Sequence, residues 1–262
     1  MSRKSNISKL PAPYLRHLWL DKSLISDVTC YPFCLPIFRG TFGIHFGKAI
    51  TIIVGENGTG KSTLLEGIAA LAGYDDAGGG KGYMPVDHSR AVEISGGRLA
   101  LALRARWLPK ITTGWFFKAE SFFAIARYLD QAALDVGDRP PDFLSHSHGE
   151  GFLRFFQERC RGGLYIFDEP ESALSPLRQI EFLKHLYRMD KSGRCQVIMA
   201  THSPILMAYP GALLLQLSKY GLDQVTVEQT NNYRLLRDFC SDPVGFVNNS
   251  LNCKGMNTPR EK

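Results

Sequence analysis

The stretch Gly55-Glu56-Asn57-Gly58-Thr59-Gly60-Lys61-Ser62 has the glycine spacing of a phosphate-binding loop. Glycine residues let the backbone curl until successive N–H groups point inward at the oxygens of an anion. In a loop of this pattern the lysine reaches the β- and γ-phosphates of a nucleotide, and the hydroxyl after it can bind Mg²⁺. We therefore predict that a contiguous set of residues binds the phosphates. These residues are Asn57, Gly58, Thr59, Gly60, Lys61, Ser62 and Thr63.

The residues on either side of this loop give it the expected context. Residues 49–54 form a continuous apolar run, which is typical of a buried strand. Residues 63–71 carry apolar side chains at helical spacing. A helix that begins at the end of the loop adds its dipole to the anion site. Strand, loop and helix in this order favour a nucleotide site over a chance glycine-rich turn.

The composition predicts a globular protein. The chain has 262 residues, of which 44% are hydrophobic and 21% are charged. This is enough for one large core, or for one core with a small subdomain. The net charge of +6 and the pI near 9.0 are compatible with a nucleic-acid partner but do not require one. Four basic residues lie close together in sequence, and we favour a solvated strand face for them over a nucleic-acid groove. They are Arg98, Arg104, Arg106 and Lys110.

Three features of the sequence bear on where the protein works. The longest apolar region, residues 197–217, contains His202, Pro204 and Pro210, so we expect no unbroken membrane span. The basic N-terminus is not followed by the apolar segment of a secretory signal. The six cysteines form no CxxC pair, which argues against zinc and for reduced thiols. We therefore expect a cytoplasmic protein.

Local patterns predict an alternation of strands and helices along the chain. Strands are predicted at residues 14–20, 42–46, 50–54, 164–167, 196–200, 213–217 and 224–227. Residues 92–94 and 99–103 are predicted to pair as a hairpin across residues 95–97. Helices are predicted at residues 63–71, 119–134, 149–160, 176–189, 233–239 and 243–251.

Two acidic residues follow the apolar strand predicted at residues 164–167. Asp168, at the tip of that strand, is placed to hold Mg²⁺ directly or through water. Glu169 can orient and deprotonate an attacking water molecule. A pair of acids in a loop is usually just solvated, but the apolar strand before it and the phosphate loop upstream favour the catalytic interpretation.

The order of these motifs resembles that of the ATP-binding-cassette (ABC) class of ATPases. Residues 170–176 follow the acid pair, and the resemblance identifies them as the D-loop. Thr201-His202-Ser203 comes after the next predicted strand. The resemblance implies that His202 contacts the γ-phosphate of ATP as the switch histidine of that class, whereas an isolated histidine at a strand end is more often structural.

Residues 146–150, His-Ser-His-Gly-Glu, resemble a variant of the signature motif of the ABC class. In that class the motif faces the γ-phosphate bound by the other protomer. The resemblance therefore implies a homodimer that forms on ATP binding, in which Ser147, His148, Gly149 and Glu150 complete the site of the partner. A serine hydroxyl and free N–H groups at a helix start also form an ordinary N-cap, and the two roles are compatible.

Four segments narrow the resemblance to small, stand-alone bacterial AAA-family ATPases with an ABC-like (SMC-like) fold. They are residues 31–33, 117–123, 147–150 and 200–204. One difference is that no glutamine occupies an evident Q-loop, and Glu120 is our candidate for that position and for a further metal ligand. Tyr31 is either an A-loop aromatic that stacks on adenine or an ordinary strand-edge tyrosine.

The resulting prediction is an α/β fold of the ABC ATPase type, with a mainly parallel sheet, an N-terminal antiparallel β layer and an inserted helical subdomain. The predicted single domain, residues 1–262, has three parts. The nucleotide-binding core comprises residues 12–118 and 161–230, the helical signature subdomain residues 119–160, and the C-terminal helices with a tail residues 231–262.

The predicted activity is hydrolysis of ATP with Mg²⁺, coupled to dimer closure. In this scheme Lys61 holds phosphates, Ser62 and Asp168 hold the metal, Glu169 is the general base, and His202 senses the γ-phosphate. The predicted use is a cytosolic regulatory, DNA-linked or phage-defence system, with a protein partner or effector and possible nucleic acid. One alternative is the ATPase subunit of a membrane transporter, which the missing Q-loop glutamine disfavours. The other is a slow nucleotide-gated switch that controls a bound toxin or nuclease.

Overall fold

The computed structural model describes residues 10–75, 78–81, 95–118, 126–127, 130–131, 133–134, 148–160 and 162–252. Two of the predicted site residues, Glu120 and Ser147, lie outside the described residues. So does most of the helix predicted at 119–134, although the described residues within that segment are helical. No helix among the described residues combines the length and the apolar character that a membrane span requires.

A three-stranded antiparallel sheet lies near the N-terminus. Its strands are β1 (Leu15–Leu20), β2 (Gly43–His45) and β4 (Leu103–Trp107), in the order β2-β1-β4. Buried and accessible positions alternate along β2 and along β1 from His17 onward, as expected for a sheet with one face on the core and one face toward solvent. This sheet confirms the predicted antiparallel layer.

A six-stranded, mainly parallel sheet forms the centre of the molecule, in the order β5-β6-β7-β3-β8-β9. Its strands are β3 (Ile50–Val54), β5 (Gly114–Lys118), β6 (Gly163–Asp168), β7 (Cys195–Ala200), β8 (Leu213–Ser218) and β9 (Gly221–Gln224). Only β9 runs antiparallel to its neighbour. Strands β3, β6 and β7 are buried at every position because both faces of the sheet are covered, which explains their continuous apolar sequences.

Helices cover both faces of the parallel sheet. The helices of the described residues are α1 (Pro36–Arg39), α2 (Lys61–Ala72), α3 (Ser95–Ala102), α4 (His148–Arg159), α5 (Pro176–Ser192), α6 (Pro204–Met207), α7 (Asn231–Ser241) and α8 (Pro243–Asn252), of which α7 and α8 have no buried residue. Helix α5 illustrates the sequence signals that set the ends. The hydroxyl of Ser175 accepts a hydrogen bond from the N–H of Arg178 at 3.4 Å, and Gly193 ends the helix in a left-handed conformation.

Two hydrophobic clusters lie on opposite faces of the parallel sheet. The first fills the space between the two sheets and includes residues from α2 and α3. The second packs α4 and α5 against the other face, and it is rich in phenylalanine rings in contact with one another. These rings belong to Phe117, Phe152, Phe156, Phe167 and Phe182. Together the clusters confirm an α/β architecture of the predicted class.

The predicted hairpin across residues 95–97 is wrong. Residues 95–102 form α3, and only β4 follows as a strand; residues 92–94 lie outside the described residues. The small side chains of this segment explain the difference, because they let α3 pack closely on α2. A Cβ atom added at Gly96 would lie 2.7 Å from the Cβ of Glu66, and one added at Gly67 would lie 2.8 Å from Leu99.

Two further differences concern strands. Strand β5, Gly114–Lys118, was not predicted, although its aromatic residues are typical of strands. The strand predicted at residues 224–227 is instead β9, which begins earlier because Gly221 pairs with Ser218 at the end of β8. Val227 begins a short 3-10 turn rather than extending a strand.

The side chain of Gln196 links the two sheets by hydrogen bonds. Gln196, on β7, is fully buried, and its Oε1 atom accepts hydrogen bonds from the N–H groups of Tyr14 and Leu15, both at 2.8 Å. Its Nε2 atom donates to the carbonyl of Leu15 at 2.9 Å. The amide therefore satisfies three backbone groups that the antiparallel sheet would otherwise bury without partners.

Replacing Gln196 with leucine should strongly destabilise the protein, because three buried backbone groups would lose their partners. Each such group costs about 1–3 kcal/mol, so we expect Gln196→Leu to lower the free energy of unfolding by about 4 kcal/mol in urea titrations. The matched control is Gln224→Leu on the exposed end of β9, which should change stability by less than about 0.5 kcal/mol. Equal stabilities for the two variants would contradict this role of Gln196.

Candidate nucleotide site

Three adjacent parallel strands bring the predicted motifs to one edge of the sheet. Strand β7 lies between β6 and β3, and Ala200 is paired with Asp168 on one side and with Ile53 on the other. Because the strands are parallel, their carboxyl ends meet at the same edge. The phosphate loop follows β3, the acid pair ends β6, and His202 follows β7. The structure thus brings together motifs that lie more than 140 residues apart in the sequence.

The phosphate loop has the backbone that its glycines permit. Gly58 and Gly60 have φ angles of 78° and 96°, in the left-handed region that other residues avoid. A Cβ atom at Gly60 would also lie 3.0 Å from the side chain of Leu35. Helix α2 begins at Lys61, directly after the loop, so its free N–H groups face the same space as the loop amides.

Lys61 is a buried cation at the centre of this loop. Its side chain is 5% exposed, and its ammonium donates hydrogen bonds to the carbonyls of Gly55 at 2.9 Å and Glu56 at 3.0 Å. Burial lowers the pKa of Lys61, and the nearby carboxylates of Glu169 and Asp168 oppose that shift. A buried ammonium held by neutral carbonyls is well placed to bind an anion such as a phosphate.

Asp168 is a buried carboxyl group beside the first turn of α2. The hydroxyl of Ser62 donates a hydrogen bond to Asp168 Oδ1 at 3.2 Å. Burial raises the pKa of Asp168 to about 6, and the Ser62 bond and the Lys118 ammonium only partly oppose this effect. The hydroxyl and the carboxylate together offer the oxygen ligands that Mg²⁺ prefers.

A partly buried ion pair next to Asp168 was missed from the sequence. Lys118, at the end of β5, is paired in register with Asp168 on β6. Its ammonium lies 2.7 Å from the carboxylate of Glu66 on α2, and both side chains are about 15% exposed. An ammonium within this pair lowers the pKa of Asp168 and so favours its ionised form. A lone lysine in an aromatic strand gave no sequence signal for this contact.

Glu169 has an unusual backbone conformation. Among the described residues it is the only non-glycine residue with a positive φ, at 48°. Non-glycine residues in this region carry a strain of order 1–3 kcal/mol, which the surrounding structure must sustain. The N–H of Glu169 donates to the carbonyl of Ala200 at 3.0 Å, and its half-exposed carboxylate lies 3.5 Å from Nε2 of His202. The strained turn therefore directs the Glu169 carboxylate toward the histidine.

The backbone around His202 is held by a glutamate from residues 170–176. Glu171 accepts a hydrogen bond from the hydroxyl of Thr201 at 2.7 Å and another from the N–H of His202 at 2.5 Å. Ser203 is held separately by the buried amide of Gln179, at 2.5 Å. The segment that follows β6 thus determines the position of the segment that follows β7.

The first residues of α7 form a second support for His202 that sequence analysis missed. The amide nitrogen of Asn232 donates to the carbonyl of His202 at 2.8 Å and lies 3.4 Å from its Nδ1 atom. Because the carbonyl can only accept, the NH₂ group of Asn232 must face the histidine, and Nδ1 must then act as an acceptor. This arrangement places the ring proton of neutral His202 on Nε2, the atom that faces Glu169. Asn231 contacts the phosphate loop through Glu56 at 3.3 Å.

Tyr31 lies in a turn that contacts the start of α2. Its hydroxyl is 2.5 Å from the hydroxyl of Thr63, and its side chain is 42% exposed. The strand-edge interpretation of Tyr31 is therefore wrong, because the residue belongs to no strand. Stacking of Tyr31 on adenine stays a prediction.

The predicted signature residues lie at the start of α4. His148 and Gly149 are its first residues, and Glu150 follows in the first turn. The carboxylate of Glu150 forms an ion pair with Arg178, which also contacts Glu181 at 2.7 Å. Arg178 belongs to the first turn of α5, directly after residues 170–175, so the start of α4 is tied to the predicted D-loop.

The described residues at this edge fit a nucleotide with Mg²⁺. Lys61 offers a buried positive charge, while Ser62 and Asp168 offer oxygen ligands beside it. The Nε2 atom of His202 is buried and has no hydrogen-bond partner within the described part of the chain. A phosphate anion paired with a divalent cation would satisfy groups of both signs at once.

Two protein-family models match the chain over these motifs. One, described as "AAA domain, putative AbiEii toxin, Type IV TA system", matches residues 122–208, which include Asp168 and His202. The other, described as "AAA domain", matches residues 35–97, which include the phosphate loop. Both models describe AAA domains, and together they include the phosphate loop, the acid pair and His202. These matches agree with the predicted resemblance to stand-alone AAA-family ATPases.

Curated proteins similar to this chain include two import proteins. The molybdenum import ATP-binding protein ModC of Bordetella pertussis is 29% identical over 184 residues, which are 60% of the chain and 46% of ModC. The aliphatic sulfonates import ATP-binding protein SsuB 1 of Paracoccus denitrificans is 27% identical over 165 residues, covering 62% of the chain and 64% of SsuB 1. The chain thus spans about half the length of ModC and under two thirds of SsuB 1.

Solved structures similar to this chain include two further proteins. The SMC head domain from Thermotoga maritima has a TM-score of 0.46 and 15% identity, covering 81% of this chain and 99% of that domain. CbiO1 from Clostridium perfringens, part of the ABC transporter complex cbiONQ, has a TM-score of 0.42 and 19% identity, covering 91% and 100%.

The buried carboxyl of Asp168 predicts a stability that falls as the pH rises. The pKa of Asp168 is near 6 in the folded protein, whereas its ordinary value is 3.8. Between pH 3.8 and pH 6 the group therefore binds more protons in the folded state than in the unfolded state. The cost of ionising it is therefore absent well below pH 3.8, small near pH 4 and complete above pH 6, where it is on the order of 3 kcal/mol. In urea titrations without nucleotide, Asp168→Asn should match the wild type near pH 4 and exceed its stability at pH 8. Asp223→Asn, on exposed β9, is the control. A variant no more stable than wild type at pH 8 would exclude this cost.

The contact between Asn232 and His202 predicts the tautomer of the histidine. In the wild type, ¹⁵N shifts of His202 should show the neutral ring protonated on Nε2. In Asn232→Asp the carboxylate can accept from Nδ1–H, so the proton should move to Nδ1 in most molecules. Asn231→Ala, which removes only the neighbouring contact with Glu56, should leave the tautomer unchanged. An unaltered tautomer in Asn232→Asp would show that Asn232 does not orient the ring.

Proposed function

We propose that the protein binds ATP with Mg²⁺, hydrolyses it, and closes into a homodimer around two nucleotides as it does so. The observation that supports this most strongly is the meeting of Lys61, Asp168, Glu169 and His202 at the ends of three adjacent parallel strands. Each group supplies one function that phosphoryl transfer needs, and none lies far from the others in the fold.

The described residues divide the chemistry between them. Lys61 and the loop amides bind the phosphates and stabilise the negative charge that builds up on them. Ser62 and Asp168 would hold Mg²⁺, which when bound neutralises charge on the phosphate oxygens. The half-exposed carboxylate of Glu169 orients a water molecule and accepts its proton. His202, held from two sides by Glu171 and Asn232, donates its Nε2–H toward the same space.

The dimer part of the proposal rests on the surface beside this edge. The start of α4 and the first turn of α5 are joined by the ion pair of Glu150 with Arg178. Leu177, in the same turn, is 71% exposed, as expected of a residue that a partner covers. We propose that His148, Gly149 and Glu150, with the preceding Ser147, reach the nucleotide of the partner. Residues 119–160 would then be the helical signature subdomain of a single ABC-type domain.

The proposed biological use is a cytoplasmic regulatory, DNA-linked or phage-defence system with a protein partner. The family description that names a toxin and a type IV TA system supports this direction. It equally supports a slow nucleotide-gated switch whose conformation, more than its turnover, controls a bound effector. Tight ATP binding with very slow hydrolysis would favour the switch.

A second candidate is the ATPase subunit of a membrane transporter, which the printed names of ModC and SsuB 1 favour. The sequence offers no glutamine at an evident Q-loop, and this argues for the regulatory use. Purification of the protein from its host under conditions that trap bound ATP separates the candidates. A membrane permease in the complex would select the transporter, and a toxin, nuclease or nucleic acid would select the others.

Glu169→Gln should trap the closed dimer. The amide cannot accept the proton of the attacking water, so we expect turnover to fall at least about a hundredfold while ATP still binds. Light scattering with ATP and Mg²⁺ should then show a dimer for the variant and a monomer without nucleotide. Glu228→Gln, an exposed residue of the 3-10 turn that begins at Val227, is a control that should keep wild-type turnover. A variant that stays monomeric at micromolar concentration and turns over normally would refute both the catalytic role and the dimer.

A further inference from the structure

At the centre of the outer face of the antiparallel sheet, the described strand residues present aromatic and basic side chains. Along β1, Leu18 and Leu20 point into the core, so the alternate residues His17 and Trp19 face outward. On the neighbouring strands, His45 of β2 and Arg106 of β4 pair in register with His17, and Arg104 pairs with Trp19. We call these five residues the sheet-face patch; they are His17, Trp19, His45, Arg104 and Arg106.

The rings of the sheet-face patch form a continuous row. The rings of His45 and His17 are stacked with centroids 3.9 Å apart and an interplanar angle of 5°. The rings of His17 and Trp19 follow at 4.9 Å and 27°. Trp19 ends this row and is 36% exposed. A flat row of rings with an accessible indole at its end offers a surface on which another planar group can stack.

Two guanidinium groups flank the row on the β4 side. Arg106 is exposed, and it forms no ion pair within the described part of the chain. Arg104 lies 3.5 Å from Asp21 and remains 44% exposed. Burial lowers the pKa of His17, and the nearby His45 and Arg106 lower it further. The positive charges therefore converge on the aromatic row, which is a surface that favours an anion.

The composition of the patch argues against a merely solvated strand face. Such a face needs no exposed tryptophan, since exposing a large apolar ring is unfavourable. It would also be expected to intersperse acids with bases, whereas Asp21, at the end of β1, is the acid in contact with the patch. Rings for stacking and cations for phosphates are the two components shared by proteins that bind single-stranded nucleic acid.

We propose that the sheet-face patch binds single-stranded nucleic acid, with a base stacked on Trp19 and the backbone phosphates held by Arg104 and Arg106. Neighbouring strands lie about 4.8 Å apart and alternate residues about 6.8 Å apart, so the patch measures roughly 10 by 7 Å. This area accommodates one or two nucleotides. A duplex hides its base faces within the stack and cannot use the exposed indole in this way.

The patch lies on the solvent side of the antiparallel sheet, whose other side packs on the core beneath α2. Binding to it needs no residue of the nucleotide edge, so the inference stands apart from the proposed hydrolysis. A test without ATP therefore separates failure of this inference from failure of the proposed function.

The test is a fluorescence anisotropy titration of a labelled oligo(dT) of about 15 nucleotides, in about 50 mM salt and without ATP. Trp19→Ala should weaken binding about tenfold or more, because a stacked base loses its platform. Trp19→Phe should bind nearly as well as wild type, since it keeps an aromatic face. Arg106→Ala should lower the steepness of log K plotted against log salt concentration by about one, because one phosphate contact is lost.

Controls make each outcome decisive. Lys191→Ala removes one positive charge from α5, where Lys191 lies over the ring of Tyr187, and it should leave binding unchanged. Unaltered melting of each variant shows that the sheet is folded. Equal binding by Trp19→Ala and wild type, equal affinity for a duplex of the same length, or no saturable binding by the wild type would each overturn the proposal.

Discussion

Parallel pairing of β3, β6 and β7 is the constraint on which the rest of the molecule depends. It aligns three strand ends at one edge, and Lys61, Asp168 with Glu169, and His202 lie at or soon after those ends. The fully buried sequences of these strands leave them no other arrangement, because any exposed face would place a continuous apolar run in water. The chemistry of the site is therefore a consequence of how the core is built.

Burying Lys61 and Asp168 at this edge of the sheet costs free energy, and that cost indicates what kind of ligand would bind there. Burial shifts the pKa of Lys61 downward and that of Asp168 upward, so each group resists the charge that binding would require. The Asp168 carboxylate opposes the shift of Lys61, and the Lys118 ammonium opposes the shift of Asp168, but neither charge cancels the effect of burial. A ligand that carries both an anion and a divalent cation relieves both costs, and its binding is favoured to that extent.

Sequence patterns identified the motifs made of consecutive residues. They missed the contacts between residues that lie far apart in the chain. The phosphate loop, Asp168 with Glu169, and residues 201–203 each stand directly after an apolar strand, so local pattern alone located them. Glu171, Lys118 and Asn232 reach the site only through tertiary contacts, and their types are common on protein surfaces. The predicted hairpin at residues 92–103 failed for the same reason. The small residues that predicted a turn belong to α3 instead, where they allow close packing on α2.

His202 connects the nucleotide edge to two other parts of the molecule. Glu171 holds its N–H from the segment that precedes α5, and Asn232 holds its carbonyl and ring from the start of α7. A movement of His202 toward a phosphate must therefore strain or shift one of these contacts, since both are short and directional. The predicted dimer surface and the C-terminal helices would both respond to the same residue. An effector that contacts α7 or α8 would then be coupled to nucleotide binding through Asn232. By linkage, the factor by which it changes the affinity for nucleotide equals the factor by which nucleotide changes the affinity for the effector.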